Sequence, residues 1–283
     1  MNNKKGLFAK KVGTVGRYVI LILVVVIMLF PIYWMVVCSL MPTHYLTVLP
    51  PHFWPVDATL ENYSTIFATP KYMTYFKNSI ITALGTVGLS LVLSVPAGYA
   101  FSRYRFFGKN AILSTILSVQ MFPIVVILIS LYMFYLKLDM LSTYRGLILA
   151  DTTFALPLAI TLIKAFFDTV PRTLDEAARI DGAGRVRTLT KILFPLVKPG
   201  IVAVCIYTFL NAWDDYLMAL IIMQDTSMKT LTIGIAETFL GEYCYNYGGM
   251  MAFAVIGSVP IVVMFIFLQK YMIAGLTAGA VKG

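Results

Sequence analysis

Six apolar stretches punctuate the chain, at roughly 18–40, 78–101, 111–136, 146–167, 199–223 and 250–273. A helix needs about 20 apolar residues to cross a bilayer, and each stretch meets that length. The runs are continuous and do not alternate, so they predict helices rather than barrel strands. Between the fourth and fifth lies a segment of another kind. Thr173 to Gly200 is polar, basic and amphipathic. Thr173 with Glu176 three residues on forms a capping box, and Pro171 precedes it. Gly182 and Gly184 end this helix after about two turns. A second short helix begins near Arg185, with Val186, Leu189, Leu193 and Leu196 on one face and Arg185, Arg187 and Lys191 off it. Pro195 and Pro199 then break the chain before the fifth stretch. Ala177 and Ala178 keep one surface low, where a partner can approach. Two readings stand: a connector lying on the membrane surface, with Glu176 there as a cap, or a docking element.

Composition agrees with the pattern. Only 12% of residues are charged, 59% are hydrophobic, and the mean hydropathy is +0.84. A soluble domain has about 25% charged residues. The net charge of +9 raises nucleic acid as a partner, but the basic residues are scattered between apolar runs. Membrane topology explains them better, because cytoplasmic loops collect Lys and Arg. With the N-terminus in the cytoplasm, 17 of 22 Lys and Arg fall on that side. The sequence therefore predicts a cytoplasmic arm at 1–17, a transmembrane domain at 18–283, a cytoplasmic loop at 168–198, and both termini cytoplasmic. The N-terminal Lys4, Lys5, Lys10 and Lys11 ahead of an apolar run resemble a signal peptide. That run continues to Leu40 without a small-residue cleavage site, so it reads as a retained span.

The outward segment 41–77 carries Pro42, Pro50, Pro51 and Pro55, together with His44, His52 and Trp54. The two histidines read as exposed or interfacial, or as ligands. Trp54, Tyr63 and Phe67 suit an interface or a docking surface, and Glu61-Asn62-Tyr63 opens a short helix. In the second span Gly85, Gly88, Ser90, Ser94, Ala97 and Gly98 allow close helix packing. Pro96 predicts a kink there. Gln120 is a polar position in the third span, and Asp151 lies in the fourth. The fifth contains Asn211, Trp213, Asp214 and Asp215, and adjacent carboxylates at such depth are costly. They line a pathway, hold helix ends by hydrogen bonding, or mark an earlier end of the span. Leu231, Ile235 and Phe239 predict a short interfacial helix in the last outer loop. Cys38, Cys205 and Cys244 have no CxxC spacing, and Cys38 and Cys205 read as packed small hydrophobes.

No GxxxxGK[ST], HExxH or GxSxG occurs, and there is no Cys/His cluster. No catalytic residue, metal site or resident cofactor is predicted, and an enzyme site within this chain is disfavoured.

One constellation is more specific. Glu176-Ala177-Ala178, Gly182, Ile192 and Phe194-Pro195, with this spacing, resemble the EAA motif of permease subunits of binding-protein-dependent ABC importers. The family pattern has Leu where Phe194 stands. Glu61-Asn62-Tyr63, Asn78-Ser79, Ala97 to Arg103, Asn211 to Leu217, and the tail Gly275 to Gly283 resemble the sugar-importer branch, of which maltose permeases are members. Where that branch often has Trp-Asn-Glu, this chain has Trp213-Asp214-Asp215.

The resemblance implies an all-α integral membrane protein of the type I ABC importer permease fold, with six transmembrane helices and a cytoplasmic coupling-helix loop. It implies a second homologous permease subunit, two ATPase subunits holding ATP and Mg, and an extracytoplasmic sugar-binding protein. Glu176, Ala177, Ala178, Asp181, Gly182, Ile192 and Pro195 would carry ATPase coupling. Gln120, Asn211, Trp213, Asp214 and Asp215 would lie along the substrate pathway, and the location would be a bacterial or archaeal cytoplasmic membrane. Competing readings are a permease for a non-sugar solute, an ion-coupled secondary transporter, and a membrane scaffold. The absence of any internal repeat counts against the secondary transporter.

Overall fold

The computed structural model describes residues 2–239 and 246–280, with side chains at 14–239 and 246–271. Glu242, Cys244 and the tail end 281–283 lie outside the described residues. Every regular element among those described is helical. In order they are α1 (Asn2–Ser39), α2 (Thr43–Leu46), α3 (Glu61–Ala68), α4 (Pro70–Arg103), α5 (Lys109–Ser118), α6 (Ile124–Lys137), α7 (Tyr144–Thr169) and α8 (Thr173–Ile180). The helical segment α9 (Arg185–Leu196) follows, then α10 (Lys198–Trp213), α11 (Leu217–Ile222), α12 (Leu231–Phe239) and α13 (Tyr247–Ala280). Among the described residues, α1, α4, α7 and α13 are each long and apolar enough to cross a membrane. The bent pairs α5–α6 and α9–α10 bring the number to as many as six.

The chain forms two units, Met1–Ala68 with Thr238–Ile256, and Thr69–Glu237 with Gly257–Gly283. In the first unit the apolar residues of α1 from Tyr18 to Leu29 are exposed, as for a helix facing lipid or another chain. Its C-terminal end is packed: Val37, Cys38 and Met41 are buried against Trp34, Leu46, Val56 and Met251. The Asn62 amide of α3 donates to the carbonyls of Ser39 (2.9 Å) and Met41 (3.2 Å). These bonds satisfy carbonyls left over at the end of α1. Tyr63 shares a 2.6 Å hydrogen bond with Ser39. The helix expected at Glu61-Asn62-Tyr63 is thus there, and its work is to tie down α1.

The second unit is built on α4, α7 and α10. Contacts along α4 and α7 rise together: Asn78 meets Tyr144, Gly85 faces Ile148, Gly98 faces Ile163, and Ser102 bonds Asp168. The two helices therefore run in the same direction. The chain must cross back between them, and only α5 and α6 are available to do it. α10 runs the other way, with Gly200 against Phe166 at one end and Trp213 against Phe76 at the other. The end bearing Arg103, Thr169 and Lys198 is called lower below.

Small residues set the α4–α7 separation. Asn78, Thr82, Thr86, Ser90, Ser94, Gly98 and Ser102 recur every four residues on α4, and all are buried. Spacing of four keeps them on one face. A Cβ at Gly98 would stand 2.6 Å from Ile163 Cγ2 and 3.0 Å from the backbone nitrogen of Lys164. Gly88, grouped with these positions from the sequence, is exposed and packs on nothing in this chain.

At the upper end Asn78 is a hub. Its amide donates to the carbonyls of Ser227 and Lys229, both at 2.9 Å, and its Oδ1 accepts from the Tyr144 hydroxyl at 2.7 Å. Ser79 Oγ accepts from the Leu231 backbone N–H at 2.8 Å, which fixes the start of α12. Asn78→Asp keeps the shape and removes both donors, leaving two carbonyls unpaired beside a buried charge. A loss of about 3 kcal/mol is expected, from stranded buried groups at about 1–3 kcal/mol each. The check is a lowered unfolding midpoint in detergent.

Two apolar stretches are not single helices. The stretch 111–136 breaks at Phe122-Pro123, where α5, a 3-10 turn (Val119–Met121) and α6 meet with a 98° bend. Proline lacks the N–H that would continue the ladder and pushes its predecessor to extended backbone; Phe122 sits at φ −77 and ψ 131. The stretch 199–223 ends early, at Trp213, and restarts as α11 after Asp214-Asp215-Tyr216. Pro96, in contrast, lies inside one uninterrupted helix from Pro70 to Arg103.

Candidate coupling segment and pathway residues

The segment after α7 is held to the lower end of α4 and α7 by a polar lattice. Arg103 Nε lies 3.0 Å from Asp175 Oδ2, and both side chains are largely buried, at 7% and 18% exposure. Arg103 Nη2 also donates to the Val170 carbonyl (3.0 Å), and Arg172 Nη2 donates to the Ser102 carbonyl (3.2 Å). The Tyr99 hydroxyl donates to Asp175 Oδ1 at 3.3 Å. Ser102 Oγ donates to Asp168, which also pairs with Lys164, both at 2.6 Å. Beneath this lattice Leu193 and Val197 join Phe167, Val170 and Ile201 in the core.

This arrangement corrects several expectations. Thr173 is the first helical residue of α8, Arg172 occupies the cap position, and no side-chain cap bond forms. The capping box is therefore absent, and Glu176 is free of that duty. The Glu176 side chain is exposed and makes no hydrogen bond or ion pair among the described residues. Ala177 is exposed, but Ala178 is 3% exposed and turned into the protein, so only one of the two alanines offers a low outer surface. Gly182 does make the turn, at φ +73, a conformation that side chains with a Cβ resist. Asp181 is exposed just before it.

The second helix also differs in register. Residues Thr188–Leu193 form a π turn, and the Phe194 N–H bonds the Leu189 carbonyl five residues back. The wider turn shifts the buried face away from 3.6-residue spacing. Thr188 and Leu193, five apart, are buried, with Leu189 and Ile192 packed alongside. Val186 (75% exposed) and Leu196 (51%) face outward instead. Pro195 does not end the helix. It lies within α9, exposed, and the bend of 82° comes after Leu196, ahead of α10. Pro199 sits in the first turn of α10, where its missing N–H costs nothing. The outward surface of the segment thus combines Glu176, Ile180 (87% exposed) and Val186.

The five pathway residues divide. Trp213 is 3% exposed; its indole N–H donates to the Gly257 carbonyl at 3.1 Å, and its ring stacks on Phe209 and meets Phe76 edge-on. It is a packing residue between α4, α10 and α13, not a lining one. Asp215 accepts from the backbone N–H groups of Met218 (3.2 Å) and Ala219 (2.7 Å), so it holds the start of α11. Asn211 and Asp214 are exposed, and Asn211 bonds only its own helix, at the Tyr207 carbonyl. Gln120 is exposed in the 3-10 turn at the α5–α6 break. Only Gln120, Asn211 and Asp214 are therefore open to a passing solute. Trp213→Ala is expected to cost about 3–5 kcal/mol as lost packing, read as a lowered unfolding midpoint. Asn211→Ala and Asp214→Ala should shift it by under about 0.5 kcal/mol.

Two features were missed from the sequence. Arg103 and Asp175 had only their positions to mark them: one ends an apolar helix, the other adjoins Glu176. Asp151 was noted as merely polar. It is buried in α7, and its Oδ2 has no hydrogen-bond partner among the described residues.

A family model described as "binding-protein-dependent transport system inner membrane component" matches residues 90–277, which hold the segment 168–198 and the five residues considered for the pathway. The chain belongs to this family. Among its relatives in the family is the trehalose/maltose transport system permease protein MalG of Thermococcus litoralis, 37% identical over 93% of this chain and 94% of that one. The sulfoquinovosyl glycerol transport system permease protein SmoH of Agrobacterium fabrum is 35% identical over 90% and 89%. A chain of a bacterial ABC transporter involved in import of the acidic polysaccharide alginate superposes with a TM-score of 0.80 at 22% identity, covering 93% of this chain and 97% of its own. This is the type I ABC importer permease fold, in an ABC transport permease that crosses the membrane several times.

Proposed function

We propose that this permease passes a sugar, an oligosaccharide or comparable glycoside, across the cytoplasmic membrane by alternating access. The sugar is delivered by an extracytoplasmic binding protein. A second, related permease subunit completes the pathway, and two ATPase subunits bind ATP and Mg and dock on the segment 168–198. Both termini and this segment lie in the cytoplasm, in line with the Lys and Arg distribution.

The observation that carries the reading is the build of the coupling segment. α8 is anchored inward through Asp175 and Ala178, while Glu176, Ile180 and Val186 are exposed and their side chains make no hydrogen bond or ion pair among the described residues. A surface so anchored transmits force to α4 and α7 rather than yielding to it. Exposed apolar groups beside an unpaired charge are the makings of a protein interface. Glycosidic transport by relatives at 35% and 37% identity supports the solute class. The exposed apolar length of α1 supports a neighbour in the membrane.

The test is uptake into vesicles holding the full complex, with radiolabelled trehalose and maltodextrins supplied on the binding protein. ATP-dependent accumulation that persists when ion gradients are collapsed is expected. Accumulation driven by an ion gradient without ATP would overturn the reading.

A further inference from the structure

A cavity of about 230 Å³ lies where the coupling segment meets the lower end of α4. Four arginines line it, Arg103, Arg172, Arg179 and Arg185. Asp175 and Glu176 line it as well. Asp175 neutralises Arg103 by direct pairing. Glu176 offsets one of the other three, so two positive charges remain over. The Arg179 side chain makes no ion pair or hydrogen bond among the described residues. Arg185 lies over the Tyr104 ring, 5.3 Å from its centre, which holds the guanidinium in place and leaves its edge N–H groups free. Arg172 uses one nitrogen on the Ser102 carbonyl. The groups come from three places in the chain: the end of α4, α8 and the start of α9.

We infer that this cavity is a binding site for a phosphate group. Several guanidinium forks converging on one concave space suit a tetrahedral oxyanion, which accepts charge-assisted bonds from several directions at once. The excess of two charges suits a phosphate group, whether a monoanionic diester or a dianionic monoester, and a concave wall concentrates the field. The space exceeds several times the ~30 Å³ share of a water molecule. It therefore admits the phosphate with part of whatever carries it, a soluble phosphorylated molecule or the headgroup of an acidic lipid.

Once filled, the site ties α8 and α9 to α4 through the ligand and stiffens the segment. That regulatory consequence rests on the function proposed above; the binding does not.

The experiment uses the purified full chain in neutral detergent. Inorganic phosphate is titrated by calorimetry, and amide hydrogen exchange is followed over residues 172–188. A parallel series places the chain in phosphatidylcholine vesicles with or without phosphatidylglycerol. Bound phosphate is expected to slow exchange across 172–188. R179Q/R185Q is expected to weaken phosphate binding by on the order of tenfold or more. R187Q removes a charge from the same segment but outside the cavity, and should change binding by under about twofold. Slowing by inorganic phosphate identifies a soluble ligand, and slowing by phosphatidylglycerol alone identifies a lipid headgroup; either supports the site. The inference is overturned if neither produces heat or slowing, or if R187Q weakens binding as much as the double variant. Phosphate binding in a complex that shows no ATP-driven uptake would leave the site standing and remove the proposed function.

Discussion

Asp175→Arg is expected to destabilise the lower end of the bundle and to abolish ATP-driven uptake. The substitution removes the partner of Arg103, a guanidinium at 7% exposure, and sets a second cation beside it. Breaking a buried pair by removing one member costs about 3–5 kcal/mol, because the other charge is stranded. Tyr99 also loses its hydrogen-bond acceptor. A fall in uptake on the order of 100-fold and a lowered unfolding midpoint should appear together. The swapped pair Arg103→Asp with Asp175→Arg restores opposite charges at the same place. It should recover part of both losses, which a double-mutant cycle measures directly. Equal loss in the swap and the single variant would show that the ion pair is not what holds the segment.

Glu176→Lys should behave in the opposite way, although it is the neighbouring residue. Glu176 is exposed, and its side chain pairs with nothing among the described residues. Surface changes of this kind shift stability by under about 0.5 kcal/mol. Uptake should nevertheless fall about tenfold or more, in line with the cost of a lost or reversed charge contact at an interface. The unfolding midpoint of the isolated chain should not move. ATP hydrolysis by the assembled complex should lose its dependence on the binding protein, or the ATPase subunits should fail to co-purify. Normal uptake with Lys at position 176 would remove Glu176 from the coupling contact. Those two outcomes together would assign adjacent residues two roles, one anchoring the segment and one meeting the partner.

The apolar runs were legible because lipid imposes length and continuity on any helix that crosses it. The turn at Gly182 was legible because few residues tolerate its backbone. What escaped was of three kinds. The Arg103–Asp175 pair joins positions far apart in the chain, and neither residue type announces its partner. The π turn at Thr188–Leu193 is a winding fault, and a pattern read at 3.6 residues per turn cannot register it. So Val186 and Leu196, grouped on one face with Leu189 and Leu193 by that pattern, face out while Leu193 is buried. Trp213 and Asp215 show the third kind. An indole and a carboxylate within an apolar run fit a solute pathway and a helix junction equally well, and only their bonds to Gly257 and to the start of α11 decide between the two. Thr173 and Glu176 had capping-box spacing, yet the helix began one residue too early for the threonine to act as the cap.

The four-residue repeat on α4 has a mechanical consequence. A stripe of Thr86, Ser90 and Ser94 looks nearly the same after a slide of one repeat, four residues or about 6 Å. Side chains of such similar size mesh at either setting, like the divisions of a vernier, and do not by themselves fix where α4 stops along α7. The stops are Asn78 on Tyr144 above, Ser102 on Asp168 below, and the two glycines, where a Cβ at Gly85 would meet Ile148 and one at Gly98 would meet Ile163. Axial position is thus pinned by two polar latches and two glycine contacts, so a pull on the lower latch is delivered lengthwise along the helix.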